Sequence, residues 1–187
     1  METRSGNVRG HVGRLGFSGE IGYEILVPAA DAPAARKLAL EAGRDLGIAE
    51  CSFEAADSLR IESGYVLFGR EITTRETPLE LDLARLVDLD GREFIGRKAY
   101  MTLRSSPPAR CLVGFEILTR TGSPFLPLAR VTSECDSPIF NRRIGLGFAS
   151  SDAAIGSNVR LPDGRLCTIA RMPFYDPSRR LPRAAPL

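Results

Sequence analysis

Apolar and polar positions follow two different periods along this chain, and the change falls near residue 105. Before it, short alternating runs sit beside stretches with helical spacing. Asn7–Leu15 reads as a strand carrying His11, and Tyr23–Val27 alternates and is rich in β-formers, so Met1–Val27 is predicted as a hairpin. Asp31 and Pro33 open a helix over 34–46, with Leu38, Ala42 and Leu46 on one face and Gly47 as its stop. A second helix is predicted over Glu54–Glu62, ended by Gly64, then a loop over 67–77. A strand near 85–89 and a third helix over 95–103 follow.

Ser105-Ser106-Pro107-Pro108 is polar, rigid and aperiodic, as a linker would be. Beyond it the pattern turns to short β runs at 110–117, 129–132, 144–149, 158–161 and 166–170, separated by turn residues such as Pro162-Asp163-Gly164. Spacing of that kind predicts a small sandwich or barrel. The expected organisation is α+β: residues 1–104 as an α+β domain, 105–108 as linker, and 109–187 as an all-β domain with an extended tail from Asp176.

Composition narrows the function classes. There are 25 Lys+Arg against 23 Asp+Glu, a net charge of +2, which argues against a broad nucleic-acid surface. No apolar run approaches the ~18 residues of a membrane helix, and no leader pattern follows Met1. A cytoplasmic setting is expected. Cys51, Cys111, Cys135 and Cys167 stand far apart, without a CxxC pair, and are expected to be reduced, mostly buried and without a metal. His11 is the only histidine, so no Ser/His/Asp or Cys/His set can be assembled and no catalytic residue is assigned.

Two stretches carry candidate chemistry. In Gly16-Phe17-Ser18-Gly19-Glu20-Ile21-Gly22-Tyr23-Glu24 the glycines lead into a strand rather than a helix, unlike a dinucleotide fingerprint. The stretch is either a tight hairpin turn or a loop closing over a flat ligand. In the second case the Glu24 carboxylate could accept two parallel N–H bonds from a heterocycle. In Asp57-Ser58-Leu59-Arg60-Ile61-Glu62-Ser63-Gly64, Arg60 is either a surface residue paired with Asp57 or Glu62, or a rigid fork for a carbonyl or carboxylate.

These stretches, with Gly69-Arg70-Glu71-Ile72, Thr77-Pro78-Leu79-Glu80, Phe94-Ile95-Gly96-Arg97, Val131-Thr132-Ser133, Ser137-Pro138, Ile144-Gly145-Leu146-Gly147 and Pro173-Phe174-Tyr175-Asp176-Pro177, resemble in order the C-terminal half of the aminomethyltransferase family. That family comprises the glycine cleavage T-protein and its relatives. The resemblance implies a ferredoxin-like α+β part followed by a small β-barrel, and tetrahydrofolate as cofactor. It implies that Glu24 and Arg60 hold the pterin, with Phe17 and Tyr23 as aromatic neighbours and Arg180 near the folate tail, Arg179 and Arg183 being close by.

The activity implied is folate-dependent one-carbon transfer, incomplete without an N-terminal half that carries the family's catalytic aspartate. The implied partners are that half-chain, a lipoyl carrier protein, or a second copy of the chain; nucleic acid and membrane are not among them. The alternative function is a non-catalytic folate-family module that binds a partner or oligomerises. The iron–sulfur branch of the fold carries a Lys-Gly-Cys-Tyr-x-Gly-Gln-Glu signature, and Leu15–Glu20 has neither its Cys nor its Gln.

Overall fold

The computed structural model describes residues 2–5, 7–118 and 130–184. Ala129 of one predicted strand, and 185–187 of the predicted tail, lie outside these. The chain divides into two compact units, Met1–Leu59 with Ser178–Leu187, and Arg60–Pro177. Residues 105–108 lie inside the second.

In the first unit, β1 (Glu2–Ser5), β2 (Val8–Gly13) and β3 (Glu24–Leu26) form an antiparallel sheet in meander order. Sequence patterning finds β2 and β3 but not β1, whose polar ETRS run has no alternation. Helix α1 (Ala32–Ala42) begins after Asp31, with Pro33 in its first turn. It ends four residues earlier than the spacing predicts. At Gly43 a Cβ would lie 2.7 Å from Ile48, so only glycine lets the chain turn there. A 3-10 turn, Arg44–Leu46, then stops at left-handed Gly47. Helix α2 (Phe53–Glu62) supplies its last residues, from Arg60 on, to the second unit.

The second unit holds α3 (Arg97–Leu103) and a five-stranded antiparallel sheet. Its strands are β4 (Arg110–Leu118), β5 (Arg130–Ser137), β6 (Arg142–Ser150), β7 (Asn158–Arg160) and β8 (Leu166–Ala170), in the order β5-β6-β4-β8-β7. The α+β class stands, with two corrections. The sheet is open and not a closed barrel: β5 and β7 are its edges and do not pair. What spans from β5 to the turn before β8 is a side-chain bridge, Arg165 Nη1 to Glu134 Oε2 at 2.6 Å. The strand expected near 85–89 is also absent: Ala84–Leu86 is a 3-10 turn, following Asp82 at a positive φ of 56°.

Both faces of this sheet are packed, as the alternation along β4 requires. Phe115 on one face joins Ala149, Val159, Leu161, Cys167 and Ile169. On the other face Ile144 and Leu146 meet Ile61 of α2, while Leu112 and Phe148 meet Leu81. All four cysteines are free, but only Cys167 is fully buried and Cys51 is exposed, a departure from the mostly buried set expected.

Candidate functional site

The distinctive glycine stretch lies wholly in the first unit. Gly13 of β2 pairs with Glu24 of β3, so the loop between them returns the chain on itself. Gly19 takes a φ of 85°, and the Glu20 N–H donates to Ser18 Oγ at 3.3 Å. Phe17 is half-buried, its ring 6.4 Å from that of Phe53. Tyr23 is 52% exposed and Glu24 is exposed. An exposed carboxylate and an exposed aromatic residue, adjacent in sequence, therefore stand at the start of β3. His11, opposite Leu26, lines a groove of about 360 Å3 with Arg9, Val27 and Pro28.

The C-terminal tail belongs to the same unit. Arg14, directly after β2, donates to the carbonyl of Ala184. The tail carrying Arg180 is thus fastened one residue from the Gly13–Glu24 pair. Arg180 is exposed. The part played by Arg14 was not read from the sequence, where it stands outside every motif.

Arg60 lies in the second unit and is fully enclosed, as is Glu71 (both 0% exposed). Arg60 Nη1 donates to Glu71 Oε2 at 2.7 Å and to the Tyr65 carbonyl at 3.1 Å, and Nη2 donates to Ser133 Oγ at 2.7 Å. Ser133 in turn donates to Glu71 Oε1, which also lies 2.7 Å from Thr132 Oγ1. The Leu67 N–H donates to Glu71 Oε2 at 3.0 Å. The expected pairing with Asp57 or Glu62 does not account for these bonds. Glu62 instead accepts from Ser137, and its carbonyl accepts from the Tyr175 N–H at 2.8 Å.

A third polar group stands at the start of β4, the central strand of the sheet. Thr77 and Glu80 form a capping box: the Thr77 N–H donates to Glu80 Oε2 at 2.8 Å and the Glu80 N–H to Thr77 Oγ1 at 3.3 Å. Glu80 Oε1 accepts from Arg110 Nε at 2.8 Å, and that guanidinium lies 4.6 Å from the Phe148 ring centroid. Burial alone would raise the Glu80 carboxyl, but hydrogen bonds from Arg110 and Thr77 outweigh it and hold it below its usual range.

The motifs therefore divide by role. Those at 60–64, 69–72, 131–133, 137–138 and 173–177 lie in the second unit, where hydrogen bonds from Arg60, Ser133, Ser137 and Tyr175 tie α2's end to the β-sheet. In the stretch at 16–24, Gly16, Ile21, Tyr23 and Glu24 are exposed while Gly19 is buried.

Residues 1–91 match the GCVT N-terminal domain. Over 89% to 97% of its length the chain is similar to aminomethyltransferases, and it spans about half the length of those relatives.

Among the relatives, the aminomethyltransferase of Symbiobacterium thermophilum is 35% identical over 181 residues, 89% of this chain and 48% of that protein. That of Rubrobacter xylanophilus is 32% identical over 97% of this chain and 50% of its own length. The crystal structure of the glycine cleavage system aminomethyltransferase T from Bartonella henselae matches with a TM-score of 0.74 and 28% identity, over 89% of this chain and 50% of that one. Among the described residues no helix is long and apolar enough to cross a membrane.

Proposed function

We propose that this chain supplies the folate-holding half of a tetrahydrofolate-dependent aminomethyltransferase of the glycine cleavage type. The observation that carries the reading is the exposed Glu24 at the start of β3, next in sequence to exposed Tyr23, in a chain 32% identical to an aminomethyltransferase over 97% of its length. Glu24 accepts the paired N–H donors on the pterin edge and fixes ring register. Tyr23 and Phe17 offer apolar faces to the ring. Arg180, on the tail fastened by Arg14, suits the carboxylates of the folate tail.

The bound folate accepts the one-carbon unit; the protein's share is binding and orientation. Arg60 enters as the residue that orders 65–72 from within, its donors being turned to Glu71, Ser133 and Tyr65 rather than outward. Catalysis requires the half of the family that this chain does not match, and the aminomethyl donor arrives on a lipoyl carrier. Residues 1–104 and 109–187 are proposed as its two sequence modules.

The test is a calorimetric titration of tetrahydrofolate into the chain, alone and joined to the other half of the Symbiobacterium enzyme. Glu24→Ala is expected to weaken binding by roughly 1–3 kcal/mol, or about 5- to 150-fold. Equal affinity for both forms, or no binding in either arrangement, would end the reading. A second reading, a non-catalytic partner-binding module, has the open apolar surface of the first unit in its favour. One-carbon turnover by the joined protein would exclude it.

A further inference from the structure

The register of the first unit's sheet gathers positive charge at one place. Residues directly opposite one another across an antiparallel pair share a face, as do residues two apart on one strand. His11 stands opposite Leu26 of β3, so Arg9, His11 and Leu26 lie on one face. Across β2's other side, Arg4 stands opposite Arg9 and Glu2 opposite His11. By position, that sets two arginines and a histidine against one glutamate. Like charges directly opposite destabilise a pair of strands unless a counter-charge is supplied. Several surface arginines have one within this chain: Glu50 for Arg36, Glu116 for Arg142 and Glu134 for Arg165. Arg9, which is exposed, forms no such ion pair among the described residues.

The same residues line a groove of about 360 Å3, with Arg9, Gly10 and His11 contributed by β2 and Leu26, Val27 and Pro28 by the end of β3 and the chain leaving it. Gly10 is what lets the two sides come together. A Cβ there would lie 2.5 Å from the Leu26 carbonyl oxygen and 2.8 Å from Val27 Cγ1, so only glycine lets the chain leaving β3 close against β2. The volume falls within the range of small-molecule sites, roughly 300–1,000 Å3. The lining has two chemistries. A guanidinium and an imidazole offer N–H donors to a carboxylate. Leucine, valine and proline offer apolar surface, and Leu26 is 59% exposed. A ligand with charge alone would leave that surface in water, and one with apolar surface alone would forgo the charge-assisted bonds.

We propose that the groove between β2 and the exit of β3 binds a small organic acid, its carboxylate on Arg9 and His11 and its apolar body on Leu26, Val27 and Pro28. Neither Glu24 nor Arg180 lines the groove, so the site does not depend on the folate reading.

The chain has one histidine, so the imidazole Cε1–H resonance of His11 reports on the groove without assignment. The test titrates the untagged full chain, at fixed pH, with octanoate, and with octanamide and inorganic phosphate as its uncharged and its purely ionic counterparts. Octanoate is expected to shift the resonance saturably, with an affinity at least about tenfold above that of either counterpart. Arg9→Gln, at an exposed position, should weaken octanoate at least about fivefold and leave octanamide unchanged. A resonance that octanoate does not move would overturn the proposal. Octanamide binding as tightly as octanoate would overturn it too, since the arginine would then be idle. Phosphate binding as tightly would do the same, since the apolar side would be idle. These comparisons use the unaltered chain and hold whatever becomes of the variant. Octanoate affinity undiminished in Arg9→Gln would place the carboxylate elsewhere and end the assignment.

Discussion

Arg60 and Glu24 show how little residue type says about role. Both are charged, and both stand in motifs of the same family pattern, yet one is sealed inside and the other is open to water. For Arg60 the deciding partner is Glu71, eleven positions on in a loop with no period to reveal it. Removing one member of a buried pair leaves the other charge uncompensated, so Glu71→Ala should lower stability by roughly 3–5 kcal/mol. Urea unfolding followed by circular dichroism measures it, and an unchanged midpoint would refute it. Ser133→Ala, which removes a hydroxyl bonded to both members, should cost less, about 1–3 kcal/mol.

Two carboxylates set an acid limit. Burial alone would raise Glu134, but hydrogen bonds from Arg165 and Arg143 outweigh it and keep the group low, as Arg110 and Thr77 do for Glu80. A carboxylate depressed in the folded state binds protons less readily than in the unfolded chain. Its contribution is complete above the unfolded pKa, about 4.3, and is lost as pH falls through the lower folded value. The urea midpoint should therefore be steady from neutrality to about pH 5 and decline below it. Glu80→Gln should show a shallower decline; an equal slope in the variant would count against the Arg110 pairing.

At the scale of elements, the β5–β6 pair is governed by two glycines. A Cβ on Gly147 would lie 2.0 Å from the Arg130 carbonyl oxygen, and one on Gly145 would lie 2.7 Å from that of Ser133. Both clashes are with backbone, beside the irregularity in register between Val131 and Ser133. Gly147→Ala must push β5 away, so it should destabilise by about 3 kcal/mol or more, at or above the usual range for overpacking. Thermal unfolding reads this directly, and a variant as stable as the parent would show that the strands separate freely. All five C-terminal strands were legible from short β runs set between turn residues, although β5 extends to Ser137, five residues past the expected end at 132. The strand expected at 85–89 was not formed, since its apolar residues serve a turn whose geometry Asp82 sets.

At the scale of the whole molecule, the two units should differ in protection. Amides of β4 and β6, flanked by packed faces, are expected to exchange only through global opening, whereas those of β2 and β3 should exchange through local opening many-fold faster. Hydrogen exchange with mass spectrometry tests this, and uniform protection across both units would contradict it. Thiol labelling gives a second check. Burial pushes the Cys167 thiol up to about 11, whereas Cys51 is exposed. Cys51 should react at once and Cys167 only on unfolding; comparable rates would mean that the packed face around Phe115 is open to reagent.

The sequence alone determined most of the local elements and the family resemblance, though not β1 or the turn at Ala84–Leu86, because hydrophobic period and turn chemistry are written in neighbouring residues. It also offered Glu24 as a candidate, since a carboxylate after a glycine turn is visible in neighbouring residues. Tertiary structure decided what became of Arg60, which of the cysteines were sheltered, and that the β-sheet stays open with Arg165 reaching Glu134 across it. It also decided that the apolar residues of the first unit find no interior in this chain. Those outcomes depend on which residues far apart in sequence are brought into contact, and a one-dimensional pattern carries no distances between them.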